Sequence, residues 1–382
     1  MAIVKSEYTH VAATASNGDN KYVKTLRLSV DPAHIDTEEA RAAIAQAAQI
    51  LRSGGLVALP TETVYGLGAN ALDPAAVARI FAAKQRPSWD PVIVHVAGPI
   101  FKNPMLDPLL AEFPPVVYGL MKAFWPGPLT LLLPRSTAVP DIVTAGRPLV
   151  GIRMPAHPVA FEVIRQAGVP IAAPSANVFS HISPTTAAHV LDDLDGKIDA
   201  VIDAGATRHG VESTVLDPTQ SPMMIYRPGA ITEQQIREVA GPVVYYEDRM
   251  LPKAAAPESL PSPGIGLRHY APRARLILVE GKLDELPARL AEAAGQHAKD
   301  RLGMMLPAEL APTRFEPPLR GAAEFPWGHW SAPEELAERL YAGLRALDAE
   351  GCAVILCPMP EAEGVGVAIR DRLRKAARSA KD

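Results

Sequence analysis

Three observations predict an α/β protein built as two sheet domains. Helix-period and strand-period segments alternate along most of the 382 residues, 48% of the residues are hydrophobic against 21% charged, and a proline-punctuated stretch divides a long first part from a shorter second one. A chain of this length and apolar fraction can build two cores and is too apolar to be disordered. The formal net charge of −4 argues against a surface that is one large polyanion trap, while leaving room for a local basic patch.

The elements follow in order. After a loose polar leader, Asp36 or Thr37 can cap a helix, with Glu38 and Glu39 facing its positive end. Ala40, Ile44, Ala47 and Leu51 then recur on one face, Arg52 sits in the last turn, and Gly54-Gly55 supplies the stop. Leu56 to Leu59 reads as a short buried strand that ends at Pro60. The rhythm repeats with a helix from Asp73 to Ala83, a strand from Val92 to Val96, an apolar stretch from Leu129 to Leu133 and a strand from Val150 to Arg153. Pro158 starts a helix that Gly168 stops, and Val169 to Ala173 reads as the strand after it. A helix from Thr186 to Leu194 precedes strands at Ala200–Asp203, Ser213–Leu216 and Met224–Arg227. Thr232 and Gln235 form a capping-box pattern for a further helix that ends near Gly241.

From Leu251 to Pro272, prolines 252, 257, 261, 263 and 272 mark a semi-stiff linker. Beyond it, Arg275–Val279, Arg301–Leu306 and Ala353–Cys357 read as strands, and Leu283–Ala294, Pro333–Leu347 and Val365–Arg378 as helices. The expected organisation is a leader (1–33), a first domain (34–246), a linker (247–273) and a smaller Rossmann-like domain (274–382). Cys352 and Cys357 fit neither a zinc knuckle nor a redox pair, so buried strand positions are expected for them. No secretory or membrane-spanning segment is evident, which makes a reducing cytoplasm the expected compartment.

The familiar nucleotide fingerprints are missing: there is no GxxxxGK[ST], and the Gly66/Gly68 and Gly364/Gly366 pairs lack the third glycine of GxGxxG. Protease, esterase and zinc signatures are missing too. What remains is a set of polar residues where strands end: Thr61, Glu62, Thr63, His95, Arg153, Ser175, Asn177, Ser213 and Arg227. In an α/β sheet such ends converge on one crevice. Each taken alone also reads as a turn residue, a cap, a core histidine or a surface charge, so the inference rests on the set. Lys84-Gln85-Arg86-Pro87 adds a point charge and a bidentate fork that suit a triphosphate, reaching one side if the backbone is extended; the same charges would also complement a helix C-terminus.

In this order and spacing, Pro60-Thr-Glu-Thr-Val-Tyr-Gly-Leu-Gly68, Lys84-x-Arg86-Pro87, Pro91-x-Ile-Val-His95, Ala173-Pro-Ser-Ala-Asn177, Glu212-Ser-Thr-Val215 and Arg227-Pro-Gly229 closely resemble the YrdC/Sua5 family of threonylcarbamoyl-AMP synthases. Ser262 to Pro272 resembles the interdomain linker of the longer, Sua5-type members. The resemblance implies a YrdC-like twisted mixed sheet followed by a Sua5 C-terminal domain. It implies that Lys84, Arg86, Asp90, Leu149, Ser175, Asn177, Ser183, Arg227 and Ser262 face ATP, and that Thr63, His95, Arg153, the backbone of Ala173 and Ser213 face L-threonine. Lys84, Arg86 and His95 stand nearest the chemistry in that reading.

The implied reaction joins L-threonine, bicarbonate or CO2, and ATP to give threonylcarbamoyladenylate and pyrophosphate, with Mg²⁺ carried on the phosphates. The product would pass to the transferase complex that makes N6-threonylcarbamoyladenosine in tRNA. Two departures stand out. Asp90 occupies a position where relatives often carry Asn, so it either ligates Mg²⁺ or turns the chain. The linker reads Gly264-Ile-Gly-Leu-Arg-His269, without a lysine usual in relatives. Attack on the α-phosphate needs positioning and charge neutralisation more than a covalent nucleophile, which Lys84, Arg86 and Arg227 suit. No general base is obvious, although an unperturbed His95 would titrate in a suitable range. A reactive anhydride needs shelter from water, and Pro261 to Tyr270 is the expected lid. Two other readings remain: an RNA-binding module, with weak tRNA contact through Lys84, Arg86 and the basic end Arg370–Lys381 but no aromatic platform, and a carbamoyl-adenylating maturation enzyme, whose zinc-finger region the cysteines here do not supply.

Overall fold

The computed structural model describes residues 24–246, 260–262, 269–310, 315, 317 and 319–378. Its first unit runs β1 (Leu26–Ser29), α1 (Glu38–Arg52), β2 (Val57–Leu59), β3 (Gly66–Asn70), α2 (Pro74–Lys84), β4 (Ile93–His95), α3 (Pro115–Phe124), β5 (Leu129–Pro134), α4 (Asp141–Thr144), β6 (Leu149–Arg153), α5 (Pro158–Ala167), β7 (Ile171–Ala172), α6 (Ala187–Leu194), β8 (Ala200–Asp203), β9 (Thr214–Asp217), β10 (Met223–Arg227), α7 (Glu233–Ala240) and β11 (Val243–Tyr245). The second runs β12 (Arg275–Val279), α8 (Leu286–Gly295), β13 (Leu302–Pro307), β14 (Ala323–Gly328), α9 (Pro333–Ala349), β15 (Val354–Pro358) and α10 (Gly366–Ala377).

The local signals act as expected at most helix ends. Thr37, not Asp36, caps α1 by accepting from the Ala40 N–H, and Thr232 and Gln235 make both halves of a capping box on α7. Pro158 opens α5, and Gly168 closes it in the left-handed region. On α1, Ala40, Ile44, Ala47 and Leu51 are all buried, as their spacing requires, and they pack with Val159, Val163 and Ile164 of α5 under one face of the sheet. The other face is covered by a second core to which α2, α3 and α7 contribute Ile80, Leu120 and Ile236.

The first sheet has eleven strands in the order β1-β8-β2-β3-β7-β4-β6-β5-β9-β10-β11, mixed in direction. The pairing that matters for function is β4 with β6, parallel, which sets His95 beside Arg153 at one sheet end. β9 runs antiparallel to β10, so the start of one meets the end of the other at Ser213 and Arg227. The second sheet, β12-β15-β13-β14, is wholly parallel, with α8 on one face and α9 and α10 on the other. That is the Rossmann-like arrangement the alternation predicts. Cys352 and Cys357 are both free and buried, Cys357 within β15.

Several elements differ from the sequence reading. β1 lies inside the stretch read as leader and pairs in parallel with β8. β3 falls within the glycine-bearing motif, and α3, which has no counterpart among the expected elements, begins at Pro115 in the first helical position. α2 continues through Lys84, and Gln85 then adopts φ of 53° as a left-handed cap, so Lys84 and Arg86 are not held in extended backbone. The two units are not loosely tethered. Val64, Ile182 and Val211 of the first share one apolar cluster with Trp327, Leu336 and Tyr341 of the second. Replacing Ile44, which is fully buried, with Ala should lower unfolding free energy by about 2–5 kcal/mol in a denaturant titration, since a cavity would open between α1 and the sheet.

Candidate active site

The polar residues that follow the strand ends converge on one narrow cavity that encloses about 50 Å³ of free space. Thr63, Arg86, His95, Arg153, Ala173, Ser175, Ser213 and Arg227 line it, together with Thr61 of the strand-end set, His269 and Tyr270 of the expected lid, and Glu212, to which the sequence assigns no role.

At one end stands a threonine-and-arginine cluster. Pro60 closes β2, and the turn after it is folded by the Thr61 hydroxyl, which donates to the Val64 carbonyl at 2.6 Å and accepts from the Thr63 and Val64 amides. Arg153, at the end of β6, donates Nη1 to the Thr63 hydroxyl at 2.9 Å and Nε to the Gly127 carbonyl at 3.2 Å, and it pairs with Glu62 at 2.7 Å. Burial pushes the Glu62 carboxyl up, but Arg153 outweighs burial and the net shift is down. His95 is buried with its Nδ1 unpartnered among the described residues. Burial, reinforced by Arg153, lowers its pKa to about 3, so its imidazole is neutral and a weak proton acceptor at neutral pH. The expectation of a histidine titrating near neutrality is not met. The Ala173 amide, at the end of β7, donates to the Ile93 carbonyl.

At the other end the charges are buried and already partnered. Lys84 does not line the cavity. Its ammonium lies beneath the Ala173–Asn177 loop and donates to the Ser175 and Asn177 carbonyls. Burial first, then Arg86, drives its pKa well below the usual lysine range. Arg86 donates to the carbonyls of Asp90 at 3.1 Å and Pro91 at 2.7 Å, pairs with the Asp90 carboxylate at 2.9 Å, and faces the Phe179 ring at 5.9 Å. Asp90 has no hydrogen-bond partner for Oδ1 among the described residues, and burial raises its pKa against the pull of Arg86, Lys84 and Arg227. Arg227, at the end of β10, donates Nε and Nη2 to the backbone oxygen and Oγ of Ser213, both at 3.0 Å. Ser213 Oγ also bonds Thr130 at 2.8 Å. Gly229, two residues after Arg227, lies so close that a Cβ there would meet the Glu212 carbonyl at 2.4 Å, so the Arg-Pro-Gly turn accepts no side chain.

Four of the remaining residues stand back from the cavity. Asn177 is buried and donates Nδ2 to the Val178 and His181 carbonyls, shaping the loop. Ser183 donates to Glu212 at 2.7 Å behind the wall. Leu149 opens β6, four residues before Arg153, and packs with Ile93, Leu132 and Val215. Ser262 is buried two residues after Leu260, whose amide donates to the Trp89 carbonyl. Of the basic C-terminal run, Arg370, Arg372 and Lys375 are engaged in ion pairs with Glu280, Glu212 and Asp371, and 379–382 lie outside the described residues. Among the described residues no cluster of three or more metal-ligating side chains occurs and no helix is long and apolar enough to cross a membrane.

The fold and this cavity define an α/β protein of two sheet units with an arginine-lined cavity at the strand ends of the first. Residues 49–229 match the family model described as telomere recombination, and 231–378 match the model for the threonylcarbamoyl-AMP synthase C-terminal domain. A threonylcarbamoyl-AMP synthase of Pyrococcus abyssi (strain GE5 / Orsay) is 42% identical over 337 residues, 86% of this chain and 92% of that protein. One from Bacillus subtilis (strain 168) is 42% identical over 357 residues, 93% and 98% of the two chains. The crystal structure of P. abyssi Sua5 complexed with L-threonine superposes with a TM-score of 0.82 at 40% identity, covering 92% of this chain and 98% of that one. The chain belongs to the Sua5/YrdC family of threonylcarbamoyl-AMP synthases.

The lowered pKa of His95 has a measurable consequence. Below the unfolded value of about 6.5 the unfolded chain takes up a proton that the folded site refuses, so stability is lost as pH falls toward 3, at up to about 1.4 kcal/mol per pH unit for this group. The His95 ring resonances should therefore show no titration between pH 8 and 5 by NMR, and His95→Gln should flatten part of the acid slope. A midpoint near 6.5 in the folded protein would contradict the burial argument.

Proposed function

We infer that this chain makes L-threonylcarbamoyladenylate and pyrophosphate from L-threonine, bicarbonate or CO2, and ATP, for N6-threonylcarbamoyladenosine formation in tRNA. The observation that carries the assignment of roles is the single cavity that joins the Thr63–Arg153–His95 cluster to Arg86, Ser175 and Arg227. An amino acid and a triphosphate held at those two ends would meet between them.

Threonine is read at the first end. Arg153, held by Thr63 and Glu62, is placed to take the substrate carboxylate, Ser213 to meet its hydroxyl, and neutral His95 to hydrogen-bond without adding charge. The amine adds to CO2, or to bicarbonate with loss of water, giving a carbamate. A carbamate oxygen then attacks the α-phosphorus while the bond from that phosphorus to the bridging oxygen of pyrophosphate breaks. No side chain is required as covalent nucleophile. Arg86 and Arg227 would stabilise the charge spreading over the phosphates. Lys84 contributes mainly by ordering the Ser175–Asn177 backbone, which presents Ser175 to the nucleotide. Asn177 and Ser183 support that wall from behind, Leu149 supplies apolar sheet surface next to Ile93, and Ser262 marks the linker's approach.

The donor set fits a Mg²⁺ ion carried on the triphosphate rather than a protein-built cage, because among the described residues Asp90 Oδ1 is the one unpartnered carboxylate oxygen beside Arg86. Bound there, the ion would neutralise phosphate charge. Two residues of the expected lid already sit in the cavity wall: His269 lies edge-on to Phe179 at 5.4 Å, and Tyr270 stacks on Tyr341 at 5.7 Å. Sites for small molecules enclose roughly 300–1,000 Å³, far more than the free space here, so His269 and Tyr270 must lift for ATP to enter. Residues 263–268 of the lid lie outside the described residues.

Pyrophosphate release should require ATP, L-threonine and bicarbonate together when each is omitted in turn, and Arg86→Ala should abolish most of it; ATP turnover indifferent to threonine would sink the assignment. Thr63→Ala should raise KM for threonine about tenfold with a smaller effect on ATP, having removed the hydroxyl that holds Arg153. Deleting 261–270 should lower the yield of adenylate per ATP consumed, measured by mass spectrometry against pyrophosphate, and an unchanged yield would remove the lid role.

A further inference from the structure

Glu212 lines the cavity, yet its carboxylate has no capacity left for a substrate. Ser183 donates to Oε1 at 2.7 Å, Arg372 donates Nε to Oε2 at 2.7 Å, and the Tyr341 hydroxyl reaches both oxygens at 3.1 and 3.0 Å. Two of those three donors come from the second unit, Tyr341 from α9 and Arg372 from α10. Arg372 is fully buried, and its Nη2 also donates to the Pro228 carbonyl at 2.9 Å. The Tyr270 ring packs over the guanidinium at 5.2 Å.

The positions of the two acceptors give the arrangement its meaning. Glu212 immediately precedes Ser213, and Pro228 immediately follows Arg227. One guanidinium thus grips the start of β9 and the end of β10 at the two residues that flank the threonine wall and the phosphate clamp. Adhesion between the units does not call for it, since the apolar cluster of Val64, Ile182 and Val211 with Trp327, Leu336 and Tyr341 already joins them. A buried ion pair is a costly way to glue surfaces and an effective way to fix register.

We propose that Arg372 and Tyr341 are positioning residues for the active site: by holding Glu212 and Pro228 they fix the spacing of Ser213 and Arg227, so the C-terminal unit sets the geometry at which threonine and ATP meet. This rests on the roles proposed above for Ser213 and Arg227. Tyr270 packs against the same two side chains, stacked on the Tyr341 ring and lying over the Arg372 guanidinium.

The test uses the full chain and steady-state pyrophosphate release with threonine, bicarbonate and ATP. Wild-type activity that is independent of threonine would count against the proposed function, and it is read before any variant is made. Given wild-type synthesis, Arg372→Met should raise KM for both ATP and threonine by about tenfold or more while the protein still unfolds cooperatively. Arg372→Lys should recover part of the loss, because an ammonium can still reach Glu212 though not Pro228 as well. Arg345→Met is the comparison: it cuts another interdomain pair, with Asp193 at 2.9 Å, without touching Glu212 or Pro228. Its KM values should stay within about twofold of wild type. Equal KM increases in Arg345→Met and Arg372→Met would reduce the effect to general loosening of the interface and overturn the proposal, as would unchanged KM values in folded Arg372→Met. If Arg372→Met does not fold, Tyr341→Phe carries the test, since it removes one hydroxyl: a severalfold KM increase supports the proposal and wild-type values overturn it.

Discussion

The first unit is organised around a problem of electrostatics: it keeps a group of cations buried around one cavity. Lys84, Arg86, Arg153 and Arg227 are all almost inaccessible to solvent. An unpaired buried charge is costly enough that a group would lose its proton or the fold would open. Each therefore has a resident partner: carbonyl oxygens for Lys84, Asp90 for Arg86, Glu62 and Thr63 for Arg153, and Ser213 for Arg227. These partners constrain the sheet in turn. Thr63 must follow β2 closely enough to meet the end of β6, and Ser213 must start β9 where β10 ends. The mixed strand order with its antiparallel insertions is what brings these termini together.

The same partners shape the chemistry. A resident partner that neutralises a buried cation competes with any other anion for it. Asp90 is the clearest case. Its carboxylate holds Arg86 through one oxygen, burial raises its pKa, and its other oxygen is unpartnered. An asparagine there would leave Arg86 freer for phosphate but would offer no charge to a magnesium ion. Beside the two expectations for this position, metal ligand and chain turn, stands a third arrangement, counter-ion to Arg86.

Much of this was legible in the sequence because the cavity is built from strand ends, and strand ends are marked locally. Pro60 stops β2 and the polar triplet after it must turn. His95 and Arg153 close apolar runs, and the Ala-Pro-Ser-Ala-Asn segment breaks a strand with a proline. What escaped notice is non-local or short. Glu212 and Arg372 meet across 160 residues of chain with no periodicity to connect them. β1 is four residues long with a single buried position, too little for an alternation signal beside a polar leader. The left-handed Gln85 is invisible to a pattern that favours glycine at such caps, and it changes what Lys84 faces. The lowered pKa of His95 has no local signal either, because nothing in the surrounding sequence reports its burial.

The docking of the second unit follows from the same electrostatic problem. Glu212 stands at the cavity wall as an anion among cations, and burial alone would raise its pKa; Arg372, with Arg227, outweighs that and keeps it ionised. Donors from α9 and α10 occupy both oxygens, while the apolar cluster around Trp327 buries the pair. A smaller parallel sheet behind the catalytic one therefore serves a specific electrostatic need: it supplies a buried cation and a phenol at the place where the first unit, surrounded by its own positive charge, has an acid to restrain.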